Sequence, residues 1–467
     1  MLLDVFGSTH LVGIGGAGMS VVAQLLAARG VDVSGCDRQE SAVISDLRSL
    51  GIHVDIGHDA AHTREIDTLV ISTAVRADNP DVVGAKRAGV KVMHRSEALA
   101  ELMNSQQSVA VAGTHGKTTT TAMLAAALHA GGVDASIAVG ARLASGGSGA
   151  HVGSDAVFIA EADESDGSFL RYRPDIAIIT NLEPDHLDYY GTPEAFFAAF
   201  AQFITQIPPG GTLILGIDDD GARQLLSHAN SRLKIITYGY AADADVQIHD
   251  GAETRVSGPI FGKAENTVEI SLKTPGKHNI LNAVGALTCA AVLGANVKLA
   301  CEGLAQFAGA ERRFHRRGEA REVLVIDDYA HHPTEVRAVL QAAAEVAGKR
   351  NGRVIAVFQP HLPSRTRIFA KEFAQELQRA DQVIIQDVYL AREDYDPDVT
   401  GEIVANEFAN QQQVQYVPDQ ADVPDAVADL AKPGDVVLTL GAGDITEQGE
   451  RILEQIDLKA GGSEDRA

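Results

Sequence analysis

At 467 residues, with 45% apolar and 22% charged side chains, the chain has the profile of a soluble globular protein of about three domains. A net charge of −24 argues against a nucleic-acid partner, and no apolar run reaches the ~18 residues that span a bilayer. Three cysteines without CxxC spacing argue against a disulfide framework or a cysteine zinc site, and with no basic N-terminal region a cytoplasmic setting without a cleaved signal peptide is expected.

In chain order, HLVGIG reads as a strand, Gly16 to Ala28 as a helix and VDVSGCD as a second strand. Alternation continues through DTLVIST, DVVGAKRAG and VKVM, which argues for a parallel, doubly wound sheet. Gly13, Gly15, Gly16 and Gly18 satisfy GxGxxG directly after the first strand, and Asp37 ends the second. Such glycines admit a pyrophosphate and such an acid accepts a ribose hydroxyl, which suits NAD or a UDP-sugar equally.

A polar joint at residues 104–107 precedes a second series. Ser108 to Ala112 reads as a strand and Lys117 to Ala130 as a helix, with Gly113, Thr114, His115, Gly116, Lys117, Thr118 and Thr119 turning between and into them. Backbone N–H groups of such a turn cradle phosphates, Lys117 neutralises them, and Thr118 reaches a magnesium ion. The general phosphate-loop pattern wants a glycine where this chain has Val111, so the match to it is partial.

Glu161 ends the strand AVFIA and opens an acidic loop through Asp163, Glu164 and Asp166; the next strand, DIAIIT, leads to Glu183, Asp185 and His186. Parallel strands end on one edge, so both loops are expected at the phosphate loop, with Glu161 on the metal and a neutral His186 completing a second metal's shell. Asp243 to Lys263 reads as a β-ribbon, His278 to about Leu293 as a helix, and Phe307 to Arg317 as a hinge. A third series follows, with strands EVLVIDD, RVIAVF, QVIIQD, VQYV and DVVLTL.

Together GTHGKTTT, EADESDGSF and NLEPDHLDYYGT resemble the Mur ligases, which build the peptide stem of bacterial cell wall. The likeness covers almost the whole chain. It implies an α/β fold of three domains: a Rossmann-like UDP-sugar-binding domain (1–105), a central ATP-binding domain of phosphate-loop type with a mostly parallel sheet (106–312) and a Rossmann-like amino-acid-binding domain (313–458). Residues 459–467 read as a flexible tail.

By the same resemblance, GKHNILNA, with His278, Asn279 and Asn282, starts the adenine-binding helix. Arg312 or Arg313 of the Glu311–Phe314 element approaches the phosphates, and Asp328 rather than Asp327 holds the ATP ribose. Gly13 to Gly18, Asp37 and Ser72 would hold UDP-N-acetylmuramate, and Tyr329, His331, His361 and Arg365 would line the amino-acid pocket. DDYAHHPTE is similar to the alanine-adding members. An acyl phosphate made with ATP and Mg2+, then opened by L-alanine, is the implied chemistry, in a monomer or weak dimer.

Two features bear on the branch. Tyr189 to Lys234 holds no lysine before Lys234, whereas most sister ligases carry a carbamylated lysine soon after the DH motif. Leu362 and Pro363 stand where alanine-adding members often have an arginine and an aromatic residue, which removes a carboxylate anchor. The rival readings are a sister ligase adding another amino acid or a recycled peptide, a non-catalytic nucleotide-sugar or NAD sensor, and an NAD-dependent oxidoreductase. Intact Lys117, Glu161 and His186 argue against the sensor, and the phosphate loop against the oxidoreductase.

Overall fold

The computed structural model describes residues 2–140, 149–251, 253–262, 267–391 and 393–464. It holds three sheets in two compact units. One unit comprises the chain up to Lys273 together with Asn279–Ala308; the other comprises Thr274–His278 and the chain from Gly309 on.

In the first unit, β1 (Thr9–Val12), β2 (Val33–Asp37), β3 (His53–Ile56), β4 (Thr68–Ile71) and β5 (Lys91–His94) form a parallel sheet in the order β3-β2-β1-β4-β5. The order reverses between β1 and β4, the place where doubly wound sheets leave a crevice at their carboxyl ends. Local signals set the helices. Pro80–Ala88 starts on an Asn79 cap, with Pro80 in its first turn, and stops at Gly89 with φ +69°.

The second sheet runs β15-β14-β13-β12-β11-β10-β6-β9-β7-β8. Its centre is parallel: β6 (Gln107–Ala112), β9 (Val157–Glu161), β10 (Ile176–Ile179), β11 (Thr212–Gly216) and β12 (Lys234–Gly239). These strands read as near-continuous Val/Ile/Ala/Leu runs because helices cover both faces. On one side β7 (Ser136–Ala138) pairs antiparallel with β8 (Ala150–His151). On the other, β13 (Val246–His249), β14 (Thr254–Ser257) and β15 (Thr267–Ile270) make a ribbon that extends past the expected Asp243–Lys263, of which residues 252 and 263–266 lie outside the described residues.

The second unit holds β16 (His315–Ala320), β17 (Val323–Asp328), β18 (Val354–Phe358), β19 (Gln382–Ile385), β20 (Val414–Tyr416) and β21 (Val436–Leu440), in the order β16-β17-β21-β18-β19-β20. All pairs are parallel except β16 with β17. The charged stretch HRRGEA, its first three residues read as hinge, is thus an edge strand. Edge positions tolerate such a sequence because one side faces water. The tail also differs from expectation: helix Gln448–Glu464 runs through 459–464, carried on by its own backbone ladder beyond the buried Ile452 and Ile456. Residues 465–467 lie outside the described residues.

Candidate active site

The phosphate loop leaves β6 and enters helix Lys117–Ala130, and two of its glycines are required by space as well as by angle. Gly113 (φ +130°) and Gly116 (φ +82°) would carry Cβ atoms 2.1 Å from Thr180 Oγ1 and 2.4 Å from Asn282 Oδ1. The loop is sewn to the end of β10. His115 N donates to Asn181 Oδ1 (2.9 Å), Thr114 Oγ1 to the Glu183 carbonyl (2.8 Å), and Thr180 Oγ1 to the His115 carbonyl (2.6 Å). Asn279 and Asn282 are buried on the helix that flanks the loop; Asn282 faces Gly116.

Lys117 Nζ donates to the carbonyls of Gly113 (2.8 Å) and Thr114 (3.1 Å) and to Glu164 Oε1 (2.8 Å). Burial works to lower its pKa, but the Glu164 carboxylate, backed by Glu161 and Asp163, outweighs that and raises it. Thr118 Oγ1 donates to Glu161 Oε1 at 2.8 Å, because β9 pairs with β6 in a register that sets Glu161 beside Val111. Thr119 is buried behind them.

His186 sits beside two carboxylates. Its Nε2 lies 3.5 Å from Glu164 Oε1 and 3.7 Å from Asp185, while Nδ1 is buried without a hydrogen-bond partner. Burial lowers its pKa, yet the hydrogen bond to Glu164 and the charge of Asp185 raise it overall. Glu164, fully buried and shared by Lys117 and His186, is a site residue that the sequence does not single out from Glu161. Its signal was present as the second glutamate of EADE, but only the fold shows which carboxylate turns toward the lysine.

In the first sheet, Gly13, Gly15, Gly16, Gly18, Asp37, Ser72 and Arg95 line one cavity of about 850 Å3 at the carboxyl ends of the strands. Asp37 accepts from Gly15 N (2.9 Å) and from Arg38 N (2.7 Å). A Cβ at Gly18 would meet Arg95 Nη1 at 2.0 Å, so this glycine lets an arginine enter the cradle. Arg95, which sequence reading did not single out, also reaches Asp163 at 3.4 Å.

The second unit gathers the remaining candidates. Asp327 and Asp328 alternate on β17 and face different partners. Asp327 accepts from Thr439 Oγ1 and Thr446 Oγ1, both at 2.7 Å. Asp328 accepts from Phe314 N (2.7 Å) and Ala330 N (2.8 Å); burial pushes its pKa up to about 6, with Arg313 and those amides opposing. Arg312 spends its guanidinium on the carbonyls of Gly441 (2.7 Å) and Gly443 (2.8 Å), and both Arg312 and Arg313 lie over the Tyr329 ring, 4.7 and 5.1 Å from its centre. Burial lowers the His278 pKa to about 4, against the pull of Glu335.

Tyr329, His331, His361 and Tyr389 form a row of rings with centroids 5.3, 5.9 and 5.7 Å apart. Tyr389 was not read from the sequence; a bridge between the His361 and Tyr389 backbones brings it in from 28 residues away. His332 turns away to cap the Pro333–Lys349 helix and pack on Phe369. Arg365 is buried on the Pro363–Leu377 helix. Leu362 is held at φ +70°, an uncommon conformation for a branched residue, with its side chain buried.

Among the described residues no helix is long and apolar enough to cross a membrane. Three family models match in succession: "Mur ligase family, catalytic domain" over residues 8–107, "Mur ligase middle domain" over 111–290, and "Mur ligase, glutamate ligase domain" over 312–443. The chain is 50% identical over 452 residues to the UDP-N-acetylmuramate–L-alanine ligase of Kineococcus radiotolerans, with 96% of each chain covered. It is 48% identical to that of Paenarthrobacter aurescens, covering 97% of this chain and 98% of the relative. Among solved structures it resembles the UDP-N-acetylmuramate–alanine ligase of Thermotoga maritima at a TM-score of 0.80 and 30% identity, covering 97% of this chain and 99% of that one. The chain belongs to the Mur ligase family.

Proposed function

We propose that the chain is an ATP-dependent ligase that joins L-alanine to the lactyl carboxylate of UDP-N-acetylmuramate in cell-wall precursor synthesis. The observation that carries this reading is the pairing of Lys117 and Thr118 with Glu164 and Glu161 at a loop shaped for phosphates. Relatives bearing that activity at about half identity over nearly full length support the substrate choice. Three free cysteines suit a reducing cytosol.

The lactyl carboxylate attacks the γ-phosphorus of ATP, the bond to the β–γ bridging oxygen breaks, and ADP leaves. The amine of L-alanine then attacks the acyl carbon; the C–O bond to phosphate breaks, phosphate departs with the electron pair, and the amine gives up its proton. Such a reaction asks the protein for positioning and charge neutralisation and needs no covalent nucleophile. Lys117 turns from Glu164 to the β- and γ-phosphates while loop N–H groups hold them. Arg312 serves as a clamp on the Gly441–Gly443 loop, which leaves Arg313 as the arginine for the phosphates. Asp328 holds the ATP ribose, and the row from Tyr329 to His361, with Arg365, receives L-alanine.

The donors present fit magnesium. Thr118 Oγ1 and Glu161 Oε1 are hard oxygens already 2.8 Å apart, and the second Glu164 oxygen is buried without a partner. Thr118 and Glu161 would hold the ion, with His186 beside them; magnesium when bound supplies neutralisation of the phosphate charge. The test is ADP release with ATP, Mg2+ and UDP-N-acetylmuramate, with L-alanine, with D-glutamate or with no amino acid. Release that requires L-alanine, with the matching mass gain on the sugar nucleotide, is expected. Release only with another amino acid or a peptide would move the enzyme to a sister activity.

A further inference from the structure

A second cluster of ligand-type side chains lies in the first domain and takes no part in the chemistry above. His10 on β1, Cys36 on β2, His62 after β3 and Asp81 at the start of helix Pro80–Ala88 each bring one donor atom within 4.8 Å of the others. Three are buried: His10 is 2% exposed, and Cys36 and Asp81 are fully enclosed. Asp81 Oδ1 pairs with His62 Nδ1 at 2.7 Å, while Oδ2 lies 3.0 Å from His58 Nδ1 and accepts from Cys36 Sγ at 3.5 Å. Among the described residues no Lys or Arg lies within ion-pair distance of this carboxylate. A buried carboxylate needs a compensating positive charge, and here only imidazoles stand near to supply it.

His10 adds an independent observation. Its Nδ1 is hydrogen-bonded to Ser34 Oγ at 2.9 Å, whereas its Nε2 is buried with no hydrogen-bond partner. In the tautomer that donates Nδ1–H to Ser34, the Nε2 lone pair is left without a donor. A partner holding one ring nitrogen while the other stays open is the arrangement found around metal-binding histidines.

We propose that His10, Cys36, His62 and Asp81 bind one zinc-class divalent ion. One sulfur, two nitrogens and one carboxylate oxygen make a four-coordinate donor set for zinc rather than for magnesium or calcium. Tetrahedral bonds of ~2.0–2.3 Å put donors about 3.3–3.8 Å apart, so the wider gaps would close by at most roughly 1.5 Å and the 2.7 Å His62–Asp81 contact would open. On binding, the Cys36 S–H bond breaks, a sulfur–metal bond forms and the proton leaves to solvent. The 2+ charge then balances one thiolate and one carboxylate. No electron is transferred. The His62–Asp81 hydrogen bond gives way to bonds from both residues to the ion, and Asp81 keeps His58, which lines the sugar-nucleotide cavity, as its second partner. Spacing along the chain could not show this, because the four ligands come from four separate elements.

The test uses full-length protein stripped with a chelator and titrated with Co2+, a coloured stand-in for zinc. One equivalent should bind with the absorption of a tetrahedral site and a thiolate-to-cobalt band, and Zn2+ should displace it. Cys36→Ser should lose the thiolate band and His62→Asn should weaken binding at least tenfold, while Glu161→Gln, which alters the magnesium donors, should leave both intact. Zn2+ should raise the thermal midpoint of the wild type and not that of His62→Asn. Absence of a thiolate band in the wild type, its persistence in Cys36→Ser, or unchanged Co2+ affinity in His62→Asn would overturn the proposal. If Cys36→Ser does not fold, His62→Asn carries the test, since its side chain lies partly at the surface (18% exposed).

Discussion

Two glycine-rich turns in this chain start alike and finish differently. Gly13–Gly18 and Gly113–Thr119 each leave the carboxyl end of a central parallel strand and enter a helix. The first offers backbone, one strand-end acid (Asp37) bonded to Gly15 N, and Arg95 passing over Gly18. The second adds Lys117, Thr118, Glu161 from the end of the neighbouring strand β9 and Glu164 from the loop that follows it. Backbone and helix N-terminus suffice to bind a pyrophosphate that only has to be held. Transferring a phosphoryl group demands charges that follow the reacting oxygens, and those come from side chains on the helix, the neighbouring strand end and its loop. On the proposed reading the glycines mark a phosphate, and the residues after them decide what happens to it.

The difference breaks most sharply at Lys117. Lys117→Ala should lower kcat by roughly 10^3-fold or more, the scale of removing a charge that acts in the transition state. It should leave sugar-nucleotide affinity within about twofold, as calorimetry can check. Near-normal turnover would sink the assigned phosphate site. Glu161→Gln should cost less, about 10^2-fold in kcat, and raise the Mg2+ concentration for half-maximal turnover. A loss that extra Mg2+ cannot relieve would assign Glu161 some other task.

Alanine in the two turns sharpens the contrast at a smaller scale. Gly116→Ala should raise the KM for ATP about tenfold, because its Cβ would meet Asn282 Oδ1 at 2.4 Å in a left-handed backbone. Gly18→Ala should instead raise the KM for the sugar nucleotide, by displacing Arg95, and spare that for ATP. If both variants shifted the same KM, the division of labour between the turns would be wrong.

Much of this was legible in the sequence because parallel strands and their helices are contiguous, strongly patterned segments. The strand–turn–helix carrying Lys117 and the strand ending in Glu161 fall where periodicity puts them. What escaped depends on contacts between distant segments. Glu164 and Glu161 look equivalent in EADE, and only the β6–β9 register gives Thr118 to one and leaves Lys117 to the other. Tyr389 joins His361 through a bridge that no local pattern encodes. The edge strand β16 was hidden because its charged residues suit water on one side, and charge without periodicity reads as a hinge.

A third strand-end acid extends the comparison to burial. Asp328 shares with Asp37 the expected task of meeting a ribose hydroxyl, and like it accepts from two backbone amides. Asp37 lines an open cavity, whereas Asp328 is 5% exposed, and burial pushes its pKa from 3.8 to about 6. The folded state therefore holds this proton more tightly than the unfolded chain does. The resulting stability is fully present below pH 3.8 and is lost as pH rises through about 6, a swing on the order of 2–3 kcal/mol. Above that range the carboxylate is charged and able to accept the ribose hydroxyls. Asp328→Asn should remove this component, so urea midpoints taken between pH 4 and 7 should fall less steeply in the variant than in the wild type. Parallel curves would mean that Phe314 N, Ala330 N and Arg313 already compensate the buried charge, and that Asp328 differs from Asp37 in position only.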